Sequence, residues 1–90
     1  MVEVVLFTKP GCRLCDTVKA QLGELRAVQL FEFREINILE DSAAYAKFHE
    51  EIPVVFIGGR KAFKYRLDEK AFLRRLNSRA AEGERPKYGS

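Results

Sequence analysis

Cys12 and Cys15 are the only cysteines in a chain of 90 residues, and they stand three apart in the segment Thr8-Lys9-Pro10-Gly11-Cys12-Arg13-Leu14-Cys15. Thiols at that spacing serve either disulfide exchange or metal binding. A disulfide scaffold in a small secreted protein uses about four to eight cysteines spread along the chain, so this pair reads as a site and not as a staple. A structural zinc ion normally takes four ligands. With no third cysteine and the single histidine His49, no metal site is expected within one chain, although a cluster bridged between two chains stays open. His49, followed by Glu50 and Glu51, is expected to be a residue of a helix end, where the dipole favours it.

The chemistry of the pair depends on what precedes and follows it. Val2 to Thr8 is a nearly continuous apolar, β-branched run, the pattern of a strand covered on both faces. Pro10-Gly11 ends it. From Arg13 to Ala27, Cys15, Val18, Leu22 and Leu25 recur at helical spacing against a polar opposite face. Cys12 therefore falls where a strand gives way to a helix, near unpaired N–H groups and the positive dipole end, with the cations Lys9 and Arg13 close in sequence. A thiolate is favoured there. Cys15, one turn onward on the apolar face, is expected to be buried and less ionised. This asymmetry suits a two-step exchange, with Cys12 as nucleophile and Cys15 as resolving thiol.

The rest of the chain supplies the scaffold. Leu30 to Ile38 reads as a strand whose apolar parity changes from Phe31 and Phe33 to Ile36 and Ile38, predicting a bulge or bend near Arg34-Glu35. A short helix capped by Asp41 or Ser42 is predicted through Phe48. Val54 to Ile57, Gly58-Gly59 and Arg60 to Tyr65 form a predicted hairpin with the second strand at the sheet edge. Asp68 is predicted to cap a last helix whose apolar face is Phe72, Leu73, Leu76 and Ala80. The order is β-α-β-α-β-β-α. It predicts an α/β domain over residues 1–81, a four-stranded mixed sheet with parallel pairing across its two crossovers and helices on both faces. Residues 82–90, polar with Gly and Pro, are expected to be a disordered tail.

Composition limits the functional classes. At 47% hydrophobic and 32% charged residues, the chain is an ordinary small globular domain with one core. The Met1 to Phe7 segment lacks a basic n-region and is too short for a signal peptide or a membrane span, which predicts a cytoplasmic, reducing location and no membrane association. The net charge is +3, gathered in the C-terminal half: 5 basic and 7 acidic residues precede position 46, while 11 and 6 follow. This basic stretch and its aromatics Phe63, Tyr65 and Phe72 offer charge and rings for nucleic-acid binding, but the excess is modest and Phe72 fits a helix core. No nucleic-acid partner is expected.

Phe7-Thr8-Lys9-Pro10-Gly11-Cys12-Arg13-Leu14-Cys15, together with Ile52-Pro53-Val54-Val55-Phe56-Ile57-Gly58-Gly59, resembles the glutaredoxins of the thioredoxin-fold superfamily across residues 2 to 80. It is most similar to small bacterial glutaredoxin-like proteins with Lys-Pro-Gly-Cys-x-Leu-Cys. The resemblance implies a cis Ile52-Pro53 bond facing the cysteines, with backbone beside it that pairs with an extended substrate. Glutathione-binding members usually carry a second Gly-Gly and then an Asp after the hairpin. This sequence instead has Lys64-Tyr65-Arg66-Leu67-Asp68. It also lacks the tryptophan of a thioredoxin active site.

These readings converge on a thiol–disulfide oxidoreductase reducing protein or glutathione mixed disulfides, with Cys12 and Cys15 catalytic and Lys9, Arg13, Ile52 and Pro53 binding substrate. The expected partners are a disulfide-containing protein or small thiol and a reductase as electron donor. No tightly bound cofactor is expected, glutathione entering as a co-substrate, and the chain is expected to be a monomer. The alternative is a non-catalytic binding module of the same fold, holding a metal, a cluster or a protein.

Overall fold

The computed structural model describes residues 1–81. The domain boundary at 81 and the tail at 82–90 expected from composition therefore lie at and beyond the edge of what is described. Strand β1 (Glu3–Thr8) leads into helix α1 (Arg13–Val28), followed by β2 (Glu32–Asn37), one helical turn at Ile38–Glu40, and α2 (Ser42–Phe48). The hairpin β3 (Val54–Ile57) and β4 (Arg60–Lys64) precedes α3 (Glu69–Ala81). The predicted element order holds throughout.

The four strands form one mixed sheet in the order β2-β1-β3-β4. β1 pairs parallel with β2 from Glu3↔Glu32 to Thr8↔Asn37, and antiparallel with β3 through Val4↔Ile57 and Leu6↔Val55. This corrects one expectation. The second crossover does not return to a parallel neighbour, because β3 enters on the far side of β1 in the opposite sense. Only the first βαβ unit is parallel. Gly58 and Gly59 both take positive φ, 59° and 84°, which gives the tight turn the twist a two-residue hairpin needs.

A second correction concerns β2. Its register against β1 is unbroken over six residues, with no bulge at Arg34-Glu35. The change of parity has a simpler cause: the sheet is covered on both faces, so one regular strand sends Phe33, opposite Val4, to one core and Ile36, opposite Phe7, to the other side. The sheet's irregularity lies between β3 and β4, where Val55 pairs with Phe63 and Phe56 with Lys61, leaving Ala62 unmatched.

Two apolar clusters result. The larger joins Val4, Leu6, Val55 and Ile57 of the sheet to Val18, Leu22 and Leu25 of α1 and Phe72 and Leu76 of α3. Phe31 meets Phe72 edge-on at 5.4 Å between ring centroids, a favourable aromatic geometry. The smaller cluster, on the α2 side, contains Cys15, Ile38, Ala44 and Ile52, with Phe7, Cys12 and Phe48 packed against it. Phe7, Phe48 and Phe56 make a three-ring contact there. Both cysteines thus touch the smaller cluster.

The caps follow from sequence. Asp41, of the two residues offered, caps α2, its carboxylate accepting from the Ala44 N–H at 3.0 Å. Asp68 accepts from the Ala71 N–H at 3.1 Å at the start of α3. His49 closes α2, its Nδ1 2.8 Å from the Tyr45 carbonyl and its ring stacked on Tyr45.

Candidate active site

α1 is capped by a cysteine where most helices use Ser, Thr, Asp or Asn. Cys12 has extended backbone geometry, and its Sγ accepts the Cys15 N–H at 3.2 Å. One of the unpaired N–H groups of the helix start is thereby aimed at sulfur. Gly11, at φ 78°, turns the chain from β1 into this position. Cys12 is partly exposed and Cys15 is buried, both as free thiols.

Cys15 is only 1% exposed. Burial pushes its thiol above the ordinary cysteine value, and the hydrogen bond with Cys12 acts in the same direction; Thr8 and the Lys9 backbone oppose them in part. The physical reason is desolvation: an apolar surround disfavours the charged form. Thr8, the one buried polar side chain among the described residues, was not singled out from sequence. Its only signal was a hydroxyl ending an apolar run.

Ile52 is buried in the cluster that holds Cys15 and contacts Cys12, Pro53 is fully buried beside it, and their peptide bond is cis. The fold thus gathers Cys12, Cys15, Ile52 and Pro53 at one end of the sheet. It treats the cations differently. Lys9 and Arg13 are exposed side chains with no ion pair among the described residues, close to Cys12 along the chain but not fixed against it.

Tyr65 stands out by a backbone conformation that its residue type does not announce. It has φ 69°, a conformation rare for any side chain but glycine. The Arg66 N–H donates to the Lys64 carbonyl at 2.8 Å across this turn, and the Tyr65 N–H donates to the Pro53 carbonyl, also at 2.8 Å. Its hydroxyl donates to the Glu50 carbonyl at 3.1 Å. The backbone sharp turn falls where the resemblance has a glycine pair, but the side chain is kept.

A four-stranded mixed sheet flanked by α1 and α3 on one face and α2 on the other, with C-x-x-C opening α1 and a cis Ile52-Pro53 bond leading into β3, is a thioredoxin-fold protein. The chain belongs to the glutaredoxin-like family: the glutaredoxin-like domain (DUF836) matches residues 3–77. A glutaredoxin-like protein of Dictyostelium discoideum is 31% identical over 74 residues, covering 76% of this chain and 68% of that protein. An uncharacterized protein of Mycobacterium bovis is 34% identical over 74 residues, 74% of each chain. Among solved structures, a protein from Nitrosomonas europaea superposes with TM-score 0.74 at 26% identity, over 83% of this chain and 91% of that one. A thioredoxin from Halobacterium salinarum does so with TM-score 0.63 at 22% identity, over 86% and 73%; this likeness concerns the fold alone.

Proposed function

We propose that the chain is a dithiol–disulfide oxidoreductase that reduces protein or glutathione mixed disulfides. The observation that carries this reading is the unequal setting of two thiols one helical turn apart: Cys12 Sγ receives a helix N–H and meets solvent, while Cys15 is buried and held protonated. The Cys12 thiolate attacks one sulfur of the substrate disulfide, forming a mixed disulfide and expelling the other sulfur as a thiolate that takes a proton from water. Cys15 then loses its proton and attacks Cys12 Sγ, which releases the second substrate thiol and leaves a Cys12–Cys15 disulfide. The substrate gains two electrons and two protons; the dithiol loses them. An external reductase resets the cycle.

The raised pKa of Cys15 supports this division of labour, since a protonated resolving thiol does not compete for the substrate. Lys9 and Arg13 act as mobile cations that draw an anionic disulfide, while the backbone at Ile52-Pro53 receives an extended chain. The working location is the cytoplasm and the working form a monomer. Among the described residues no helix is long and apolar enough to cross a membrane.

The test is a trap. Cys15→Ser is expected to accumulate a covalent complex with a glutathionylated or disulfide-bonded protein, visible as a mass increase removed by dithiothreitol, whereas Cys12→Ser accumulates none. Equal trapping by both variants refutes the assignment. Coupling the wild type to glutathione with glutathione reductase, or to thioredoxin reductase, and following NADPH identifies the donor.

A further inference from the structure

The basic residues of the C-terminal half have no part in the thiol chemistry, and the fold brings three of them together away from it. Ile57, Arg60 and Ala62 of the β3–β4 hairpin and Arg75, Ser78 and Arg79 of α3 line a cavity of about 170 Å³. Ile57 pairs with Val4 near the start of β1, whereas Cys12 follows the end of that strand. The cavity and the cysteines therefore lie toward opposite ends of the sheet.

Three guanidiniums around one cavity, with no carboxylate among its described lining residues, form an arrangement that repels itself. Arg75 and Arg79 stand one helical turn apart on α3, a spacing at which like charges disfavour each other. Arg60 and Arg75 enter no ion pair among the described residues. Packing nevertheless holds two of the three side chains in place. The Arg75 guanidinium lies over the Phe63 ring, 5.4 Å from its centroid. The Arg79 stem runs against the turn at Gly58, where an added Cβ would fall 2.8 Å from its Cδ and 3.2 Å from its Cγ. Gly58 thus supplies the turn and also the room for the arginine. Donors placed in advance lose little freedom when a ligand arrives, which is how few contacts give useful affinity.

We propose that this cavity binds the phosphoryl group of a small soluble phosphorylated molecule. Charge alone admits any anion, and two features choose the class. A carboxylate offers its oxygens in one plane and is satisfied by a single arginine fork. The cavity instead brings arginines and the Ser78 hydroxyl from both β4 and α3, which suits the tetrahedral oxygens of a phosphate or diphosphate carrying more than one charge. Its volume is that of about five waters, enough for such a group and too little for a length of polymer. Neither cysteine takes part, so this site and the oxidoreductase reading can each fail without the other.

The experiment titrates the full, reduced chain with sodium diphosphate, citrate and a short single-stranded oligodeoxynucleotide, read by calorimetry and by amide chemical shifts. Salt is kept at about 0.15 M so that diffuse attraction is screened. Diphosphate is expected to bind saturably, moving the amides of Gly58 to Ala62 and of Arg75 to Arg79 and leaving those around Cys12 in place. Citrate, of similar charge but with carboxylates alone, is expected to bind about tenfold more weakly. Arg60→Gln, Arg75→Gln and Arg79→Gln are each expected to weaken diphosphate about tenfold, the scale of one lost charge-assisted hydrogen bond. Arg60 and Arg75 are exposed, so two of the three variants report without disturbing the core. Arg74→Gln removes the same charge from the adjacent exposed position of α3, outside the cavity, and is expected to change binding less than about twofold.

Absence of saturable diphosphate binding, citrate binding as tightly as diphosphate, or equal losses in Arg74→Gln and Arg75→Gln overturns the site. An oligonucleotide that binds through these arginines and is not displaced by diphosphate overturns it as well, and assigns the surface to a nucleic-acid backbone instead.

Discussion

The two sulfurs show how a single residue's setting decides its role. Cys12 and Cys15 differ by three positions, yet one caps a helix at the surface and the other lies in an apolar cluster with Ile38, Ala44 and Ile52. The asymmetry was legible because helical spacing alone puts Cys15 on the face of Val18 and Leu22. It has a consequence for stability. A thiol whose pKa is raised on folding keeps its proton longer in the native state than in the unfolded one, so its contribution is complete below the unfolded value, about 8.5. It is lost as pH rises through the folded value, because the unfolded chain is then the more ionised. The denaturant midpoint of the wild type is therefore expected to fall between pH 8 and 10 more steeply than that of Cys15→Ala, in which the shared tyrosine and lysine titrations remain. Parallel slopes in urea titrations across that range refute it.

At the scale of elements, the sequence locates every strand and helix, the parallel β1–β2 unit and the β3–β4 hairpin, but not the antiparallel placement of β3 beside β1. The parity change in β2 implies a bulge only if alternation has one buried face; a sheet with cores on both sides needs no bulge, and the register is regular. Tyr65 was illegible for a different reason. Nothing in its type signals positive φ, and only the bonds to Pro53 and Glu50 reveal the turn. The glycines, conversely, can be sorted by what their backbone does. Gly23 lies inside α1, and a Cβ there meets nothing within 4 Å, so Gly23→Ala is expected to stabilise by up to about 1 kcal/mol. For a domain this size that raises Tm by about 4–8 °C. Gly11 has equally open surroundings but φ 78°, so Gly11→Ala is expected to lower stability by about 1–2 kcal/mol. Thermal unfolding of the two variants side by side checks both signs, and a matching shift in each is incompatible with the assigned backbone.

For the whole molecule, the question is whether the two clusters that sandwich the sheet behave as one cooperative unit. They share β1, whose residues alternate between them: Val4 and Leu6 face α1 and α3, while Phe7 faces α2. A chain of this length has a total stability of about 5–12 kcal/mol, so a core deletion on one face draws on a common reserve. Phe72 is 0% exposed in the larger cluster, and Phe72→Ala is expected to cost about 3–5 kcal/mol. Cys15 belongs to the smaller cluster and reports on it from the first turn of α1. If it becomes accessible only when the whole domain opens, its alkylation rate scales with the unfolding equilibrium and rises at least 10²-fold in Phe72→Ala, every 1.4 kcal/mol being tenfold. The measurement is iodoacetamide labelling at fixed pH below the global transition, with Cys12 replaced by Ser so that one thiol is counted. A rate that changes as much as the denaturant-derived equilibrium shows that the resolving thiol is guarded by the entire fold. A rate indifferent to Phe72 shows instead that the α2 side opens on its own, and that Cys15 reaches Cys12 by local motion of the smaller cluster.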